Sequence, residues 1–568
     1  MKYLREEYER FLLTEIDAQQ NTYNDIVCTR ALTLKDRGDI FVGKYLAEQG
    51  DGIMIFKIRR SASMPRKNSY WTACYLSDEM GSFRNWGTLS WVELRQTYQR
   101  KYCEVFCAWI SNAEEPDFCL VGIKGITLEF ADLLKEDKPI IAFGPKDPPL
   151  RYLFNLLTLI QDSSDKRVAE ILDFEDDKLQ WNPILITAQE NFSETLDSQL
   201  NENQAVIVQG PPGVGKTFRI AQYASSLIAE GKSVLVTALT NQALMEVAEK
   251  DSIRKFLDLG CVSKTSLTID EQKKLPKLLS VQENRCNAKS GKLTLATFYV
   301  SSGWANEVEV TPFDYVFMDE ASQALLPMIA ATMKLGTKII WIGDQHQLPP
   351  IVTMVDDLIE RRDWGGIVFG FNTLCSNFRY KKYMLCDTYR LTLRGAEATG
   401  KFYNNKLSSV SGYTHIPSIL DFTNRKGGPV VVKLNLSVGD VCPSNATNWI
   451  LDKVNLLLKE NPKTSIAILA KFRDTARKLQ ACYLAQNYSR DVPDNLKIET
   501  VDRVQGLTVD YCFYLIPNTS LKYSFNEHLF NVATSRARYN TFIIVDTLAA
   551  RSSMPQVVRD YFNVAEQD

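Results

Sequence analysis

The chain has 568 residues, about four times a common domain length of roughly 150, which excludes a single small binding module and predicts three or four domains. Apolar residues make up 45% and charged residues 24%, the usage of globular domains rather than of disordered, collagenous or fibrous chains. Lys+Arg 66 against Asp+Glu 68 gives a formal net charge of -2, so any surface that attracts phosphates must be local.

The opening segment MKYLREEYERFLLTEIDAQQ places Met1, Leu4, Tyr8, Phe11, Leu12 and Ile16 at helical spacing between charges, which predicts an amphipathic helix. It is charged throughout and lacks the apolar core of a signal peptide, and no apolar run approaches the length of a membrane span, so a soluble, intracellular protein, cytoplasmic or nuclear, is expected. From about Gly38 to Ile126, short runs rich in β-branched and aromatic residues alternate with Gly, Pro, Asn and Asp, the pattern of a small barrel or sandwich. The twelve cysteines show no paired C-x-x-C spacing. Cys74, Cys103, Cys107 and Cys119 are irregularly spaced, and with only three histidines (His346, His415, His528) they read as reduced, buried thiols rather than as zinc ligands.

After a helical stretch at 146–180 the rhythm changes. Apolar runs at 205–209, 233–238, 293–298, 315–320 and 338–344 are separated by helix-compatible segments, and the pattern restarts at 430–434, 465–470, 497–501, 510–516 and 541–546. Such alternation predicts α/β architecture: two tandem domains, each a parallel sheet with crossover helices.

Chemistry enters at Gly210-Pro-Pro-Gly-Val-Gly-Lys-Thr217, which fits G-x-x-x-x-G-K-[ST] between a strand and a helix. Gly210, Gly213 and Gly215 allow backbone N–H groups to turn inward around phosphates, Lys216 reaches the β and γ phosphates, and the Thr217 hydroxyl can ligate Mg²⁺. The run Tyr315-Val-Phe-Met318 ends in Asp319-Glu320: an Asp at a strand end can hold the metal, and the adjacent Glu can deprotonate an attacking water. GTPase switches, metabolic kinases and motors share this pair.

The ordered series GPPGVGKT, DEASQA (319–324), GDQHQLPP (343–350), TYRLT (388–392), TVDRVQG (500–506) and NVATSRAR (531–538) resembles the motifs of superfamily 1B helicases. More closely it resembles the branch containing the nonsense-mediated-decay RNA helicase, senataxin and the immunoglobulin-switch-region binding helicase. The resemblance covers about residues 186–547 and implies two RecA-like P-loop domains using ATP and Mg²⁺. It implies that Arg390 and Arg536 are arginine fingers, that Gln347 senses the γ-phosphate, that Tyr389 packs near the adenine and Gln189 reads its edge, and that Gly506 belongs to a nucleotide-coupling motif. The usual Arg/Lys-Glu after that motif is replaced by Leu507-Thr508, and Lys471-Phe472 stands where the family more often has Thr-Pro-Tyr.

By the same resemblance, Thr240, Asn241, Thr297, Phe298, Pro349 and Thr500 fall at strand-binding positions. Hydroxyl and amide groups there would contact backbone phosphates without reading bases, so the implied partner is single-stranded RNA or DNA, bound independently of sequence. A basic run from Lys57 to Lys67 could guide it; a solvated hairpin loop is the blander and slightly favoured explanation of those charges. The expected division is a stalk helix over 1–37, a small β-barrel over 38–130, a helical stalk or linker over 131–183, and RecA-like domains over 184–370 and 371–568. The expected activity is 5′-to-3′ helicase or translocase action, with an ATP-regulated clamp that opens no duplex as the alternative.

Overall fold

A computed structural model gives the conformation of the chain except for residues 1–2, 61–68, 78–86, 99–101, 138, 163, 174–181, 414–415, 488–491, 549–553 and 567–568. The amphipathic opening segment forms the helix Arg5–Val27, with Tyr8, Phe11, Leu12 and Ile16 buried along one face. That face packs on the helix Leu150–Gln161 and joins the core beneath the first α/β sheet. Glu15, fully buried on the same face, accepts the backbone N–H of Thr353 at 2.8 Å and of Met354 at 3.1 Å. The helix is thereby tied to the loop that follows Pro349-Pro350.

Strands Phe41–Glu48, Met54–Arg59, Tyr70–Ser77, Tyr102–Asn112, Phe118–Lys124 and Ile140–Gly144 form a closed antiparallel barrel, the first pairing with the second and the last. Alternating residues such as Phe56, Val105, Val121 and Phe143 fill its interior, and closure leaves no open edge. The barrel sits on a segment of the first α/β domain: Ile269 enters the barrel core, Asp270 accepts the Gly125 N–H at 3.1 Å, and Thr127 bridges Thr268. Gly52, at φ +84°, lies so near this segment that a Cβ would come within 2.9 Å of the Asp270 backbone.

The first α/β domain is a nine-stranded sheet in which every paired neighbour is parallel. Its central strands, Leu293–Thr297, Val234–Ala238, Phe313–Met318, Gly336–Gly343 and Ala205–Gln209, are those expected from the apolar runs. The second is a five-stranded parallel sheet in the order Gly428–Leu434, Ala537–Asp546, Val509–Ile516, Ile466–Ala470, Leu496–Thr500. These are two tandem RecA-like domains. The expected division at residue 370/371 needs correction, because Lys381–Leu385 pairs with Ala205–Gln209 and Ile184–Ile186 in the first sheet. Burial of Tyr383, Met384 and Leu385 on that sheet carries the chain back before it enters the second domain. The polar stretch 250–292 likewise supplies edge strands, Val262–Thr265 and Leu279–Val281. Among the described residues, no helix is long and apolar enough to cross a membrane.

Removing the Glu15 carboxylate leaves the Thr353 and Met354 N–H groups without their acceptor, a local loss of about 1–3 kcal/mol. Glu15→Ala is therefore expected to speed amide exchange at 353–354 by roughly tenfold or more, with the second sheet unaffected. Unchanged exchange there would remove the tie.

Candidate nucleotide site

The strand Ala205–Gln209 is buried throughout and runs into the glycine-rich loop, where the Gly210 N–H donates to the Gly343 carbonyl at 2.8 Å. Gly213 and Gly215 adopt φ of +76° and +78°, in the left-handed region that glycine enters without strain. The following helix, Lys216–Ala229, has Gly215 as its N-cap and no side-chain cap. Its first N–H groups and positive dipole end thus remain available to an anion. The Lys216 ammonium donates to the Gly210 carbonyl at 2.8 Å, and the Thr217 hydroxyl to the Asp319 carboxylate at 3.3 Å.

Asp319 and Glu320 follow the strand Phe313–Met318 and occupy unusual environments. Glu320 holds φ +53°, a costly backbone state for a non-glycine residue that typically persists where the surroundings impose it. Its N–H donates to its neighbour's carboxylate at 2.9 Å, and Gln323 donates to its own carboxylate at 2.7 Å. Burial, then the nearby Asp319 charge, raise the Glu320 pKa to about 7, against the opposing pull of Lys216. Burial also raises that of Asp319, again with Lys216 opposing. A carboxylate near pKa 7 is suited to accept a proton from water. Thr217 and Asp319 together fit Mg²⁺, which needs few protein ligands when phosphates and waters complete its octahedron. Among the described residues, no group of three His, Cys, Asp or Glu could hold a metal alone, and the barrel cysteines Cys74, Cys103, Cys107 and Cys119 are buried thiols.

The segment leading into the second domain closes over this loop. Thr388 Oγ1 donates to the Pro212 carbonyl at 2.9 Å and the Tyr389 N–H to that of Gly213 at 2.9 Å. A Cβ at Gly213 would lie 2.5 Å from the Arg390 Cβ. Arg390 donates to the Ser535 carbonyl at 3.0 Å. Arg536, 1% exposed, donates to the Val532 carbonyl at 2.8 Å and to Ser535 Oγ at 3.1 Å. Neither arginine has an ion-pair partner among the described residues. Burial lowers the pKa of both; for Arg390 the neighbouring Arg536 and Arg538 add to the effect. Cations partly or fully withdrawn from water and not paired with a carboxylate favour an arriving anion.

Other expected residues are placed unevenly. Tyr389 is 48% exposed beside the loop, Gln189 lies exposed in the turn after Ile184–Ile186, and Gly506 adopts φ +82° with open space about it. Gln347 is buried and donates to Asp344 at 2.8 Å. Thr240 caps the helix Asn241–Ala248 through the Ala243 N–H, and Asn241 is exposed. Thr297 and Thr500 sit at strand ends, nearly buried, and Pro349 and Pro350 are half-buried. Phe298 requires correction: it is 2% exposed within the core, because an apolar ring opening the helix Phe298–Glu307 packs inward and cannot offer its face to a strand. Lys471 is paired with Asp502 at 3.4 Å. In the basic run, Lys57 pairs with Glu115 and Arg60 donates to the Phe118 carbonyl, while Arg66 and Lys67 lie outside the described residues.

Four residues beside the site had no role assigned from sequence. Burial raises the pKa of Glu246, on the helix after Thr240. Asp344, Tyr403 and Asn531 form a buried polar cluster next to Gln347. Only Asp344 and Asn531 lay within the quoted motifs; Tyr403 falls in an unremarkable Lys401-Phe-Tyr turn.

The fold and the loop are those of the P-loop class with two RecA-like domains. Residues 188–361 match the family model described as AAA domain. "DNA replication ATP-dependent helicase/nuclease DNA2" of Saccharomyces cerevisiae is 25% identical over 429 residues, 66% of this chain and 27% of that protein. Its namesake in Homo sapiens is 30% identical over 162 residues, 27% of this chain and 15% of that protein. Among solved structures, "Crystal structure of Arterivirus nonstructural protein 10 (helicase)" aligns over 91% of this chain and 79% of its own, at 12% identity and a TM-score of 0.37. The motif-bearing part is thus similar in sequence to proteins named as DNA-replication ATP-dependent helicase/nucleases, and the chain spans 27 to 37% of the length of the first relatives.

Gly213→Ala forces a side chain onto φ +76° and against Arg390. It is expected to weaken binding of a fluorescent ATP analogue by about tenfold or more; an unchanged dissociation constant would show that the loop does not hold phosphate this way.

Proposed function

We propose that this chain is an ATP-driven helicase or translocase of superfamily 1B that moves 5′ to 3′ along a single nucleic-acid strand. One observation carries the reading: Arg536, buried, and Arg390, half-buried, have no carboxylate paired to them among the described residues, and lie within electrostatic reach of Glu320 and Glu246 respectively. Cations held across a cleft from a phosphate loop suit the charge of a transferring phosphoryl group. The polarity rests on the resemblance of the motif series, and the DNA-replication helicases among the relatives favour DNA as the strand.

In this reading Gly213, Gly215 and the N-terminus of Lys216–Ala229 cradle the phosphates, and Lys216 leaves the Gly210 carbonyl to reach them. Thr217 and Asp319 hold Mg²⁺, which when bound offsets phosphate charge. Glu320 orients the attacking water and takes its proton, while Arg390 and Arg536 stabilise the charge developing in the transition state. Gln347 exchanges Asp344 for the γ-phosphate. Tyr389 and Gln189 flank the adenine, and Gly506 lies in the coupling segment. Thr240, Asn241, Thr297, Thr500 and the Pro349-Pro350 turn line the strand path with phosphate contacts that carry no sequence information.

Lys216→Ala and Glu320→Gln are expected to abolish nucleic-acid-stimulated ATP turnover while the circular dichroism spectrum is retained. Arg536→Ala should lower kcat on the order of 10³-fold. Undiminished turnover in all three would sink the site assignment. Strand displacement on 5′- and 3′-overhang duplexes should proceed from the 5′ overhang alone; ATP turnover without displacement from either would replace the motor with a clamp. Stimulation by DNA or RNA should fall linearly on a log–log plot against salt, as phosphate contacts require.

A further inference from the structure

The apolar core is continuous across the seam between the two RecA-like domains: one cluster contains Val206, Val208 and Phe317 of the first and Leu469, Tyr514 and Ile543 of the second. A polar ring interrupts it. Asp344, at the end of the strand Gly336–Gly343, is 1% exposed and has no cationic partner within the ring. Its carboxylate accepts Gln209 Nε2 at 2.7 Å, Gln347 Nε2 at 2.8 Å, the His346 N–H at 3.1 Å and the Tyr403 hydroxyl at 2.7 Å. The first three donors belong to the first domain. The fourth does not: the turn carrying Tyr403 packs on the helix Gln556–Ala565 of the second. Asn531, fully buried on the helix Glu527–Thr534, closes the ring, donating to the Tyr403 hydroxyl and to the His346 carbonyl, each at 2.8 Å.

A buried carboxylate needs its full set of donors, since loss of one leaves charge uncompensated in a low-dielectric site. Asp344 therefore resists moving relative to Tyr403. The helix bearing Asn531 leads directly into Ser535 and Arg536, and the Ser535 N–H donates to the Asn531 carbonyl at 3.2 Å. Hydrogen bonds thus connect Gln347 in one domain, through Asp344 and Tyr403, to the base of Arg536 in the other. When Gln347 turns toward a γ-phosphate it removes one donor from Asp344, and the Tyr403 bond then carries more of that charge.

We propose that Tyr403 and Asn531 are positioning residues that lock the Gln347 loop of the first domain to the Arg536-bearing helix of the second, so that the occupancy of the γ-phosphate position is transmitted across the seam through Asp344. The proposal rests on the ATPase reading above and adds to it the route of coupling between domains.

The test uses the full chain and Tyr403→Phe, which keeps the ring against His346 and deletes only the hydroxyl. Its kcat is expected to fall about 10- to 100-fold with KM for ATP within about threefold, the split expected of a group acting in the transition state rather than in uniform binding. In a cycle with Gln347→Ala, the double variant should be no slower than Gln347→Ala alone, because both act through Asp344. Amide exchange with and without a non-hydrolysable ATP analogue gives a readout independent of turnover. In the wild type, 344–350 and 527–536 should gain protection together; in Tyr403→Phe and in Asn531→Ala, only 344–350 should. Additive losses in the cycle, or joint protection surviving in both variants, overturn the relay while leaving the ATPase reading intact. Joint protection in a wild type that does not turn over ATP sustains the relay and removes the hydrolysis. A wild type that does not bind the analogue removes both.

Discussion

Two guanidinium groups, one buried and one half-buried, with no carboxylate paired to either among the described residues, set the terms for the rest of this molecule. Arg390 and Arg536 are held by carbonyls and a hydroxyl, which satisfy hydrogen bonds but leave the charge unmatched. An isolated buried cation is expensive, and the fold can support these two because a large apolar core fixes the elements around them. Opposite them stand Asp319 and Glu320, acidic groups whose burial pushes them toward protonation. Neither side is comfortable alone, which is why the proposed reading places a phosphate chain and its cation between them.

The central strands and the glycine loop were legible because each is a local pattern with a local cause. A run such as AVIVQ, apolar on both faces, has nowhere to go but the middle of a covered parallel sheet, and the positive φ values of Gly213 and Gly215 follow from the turn that feeds strand into helix. The outlying strands were harder to see. Lys381–Leu385 begins with two lysines and Leu279–Val281 has three residues, so neither carries enough apolar signal to separate it from a loop; the first is inserted between Ala205–Gln209 and Ile184–Ile186, and the second forms the opposite edge. The same lack hid the true end of the first domain.

Side-chain roles divided along a similar line. Motif position named Lys216, Asp319 and the arginines, and the structure gathers them around the glycine loop. It misplaced Phe298, since a motif says where a residue falls along the chain and burial decides which way the ring points. Tyr403 was invisible because its partner Asp344 is 59 residues away, and no spacing rule reports a contact of that separation. Asn531 stood in a quoted motif with no evident task until its two acceptors, one from each domain, were seen.

The accessory elements are attached with a marked asymmetry. The N-terminal helix is tied to the first domain through Glu15 and the loop at 353–354, and the barrel is seated on Ile269 and Asp270 of that same domain. The chain is thus mechanically two bodies of unequal size, with the barrel as a stiff outrigger on the larger one. A sideways load on the barrel bears on two places: the segment around Asp270, and, through the helix, the turn just beyond Pro349-Pro350. The smaller body does not carry that outrigger, and the short stretch between Leu385 and Leu393 that joins the two bodies is itself fastened to the phosphate loop at Pro212 and Gly213.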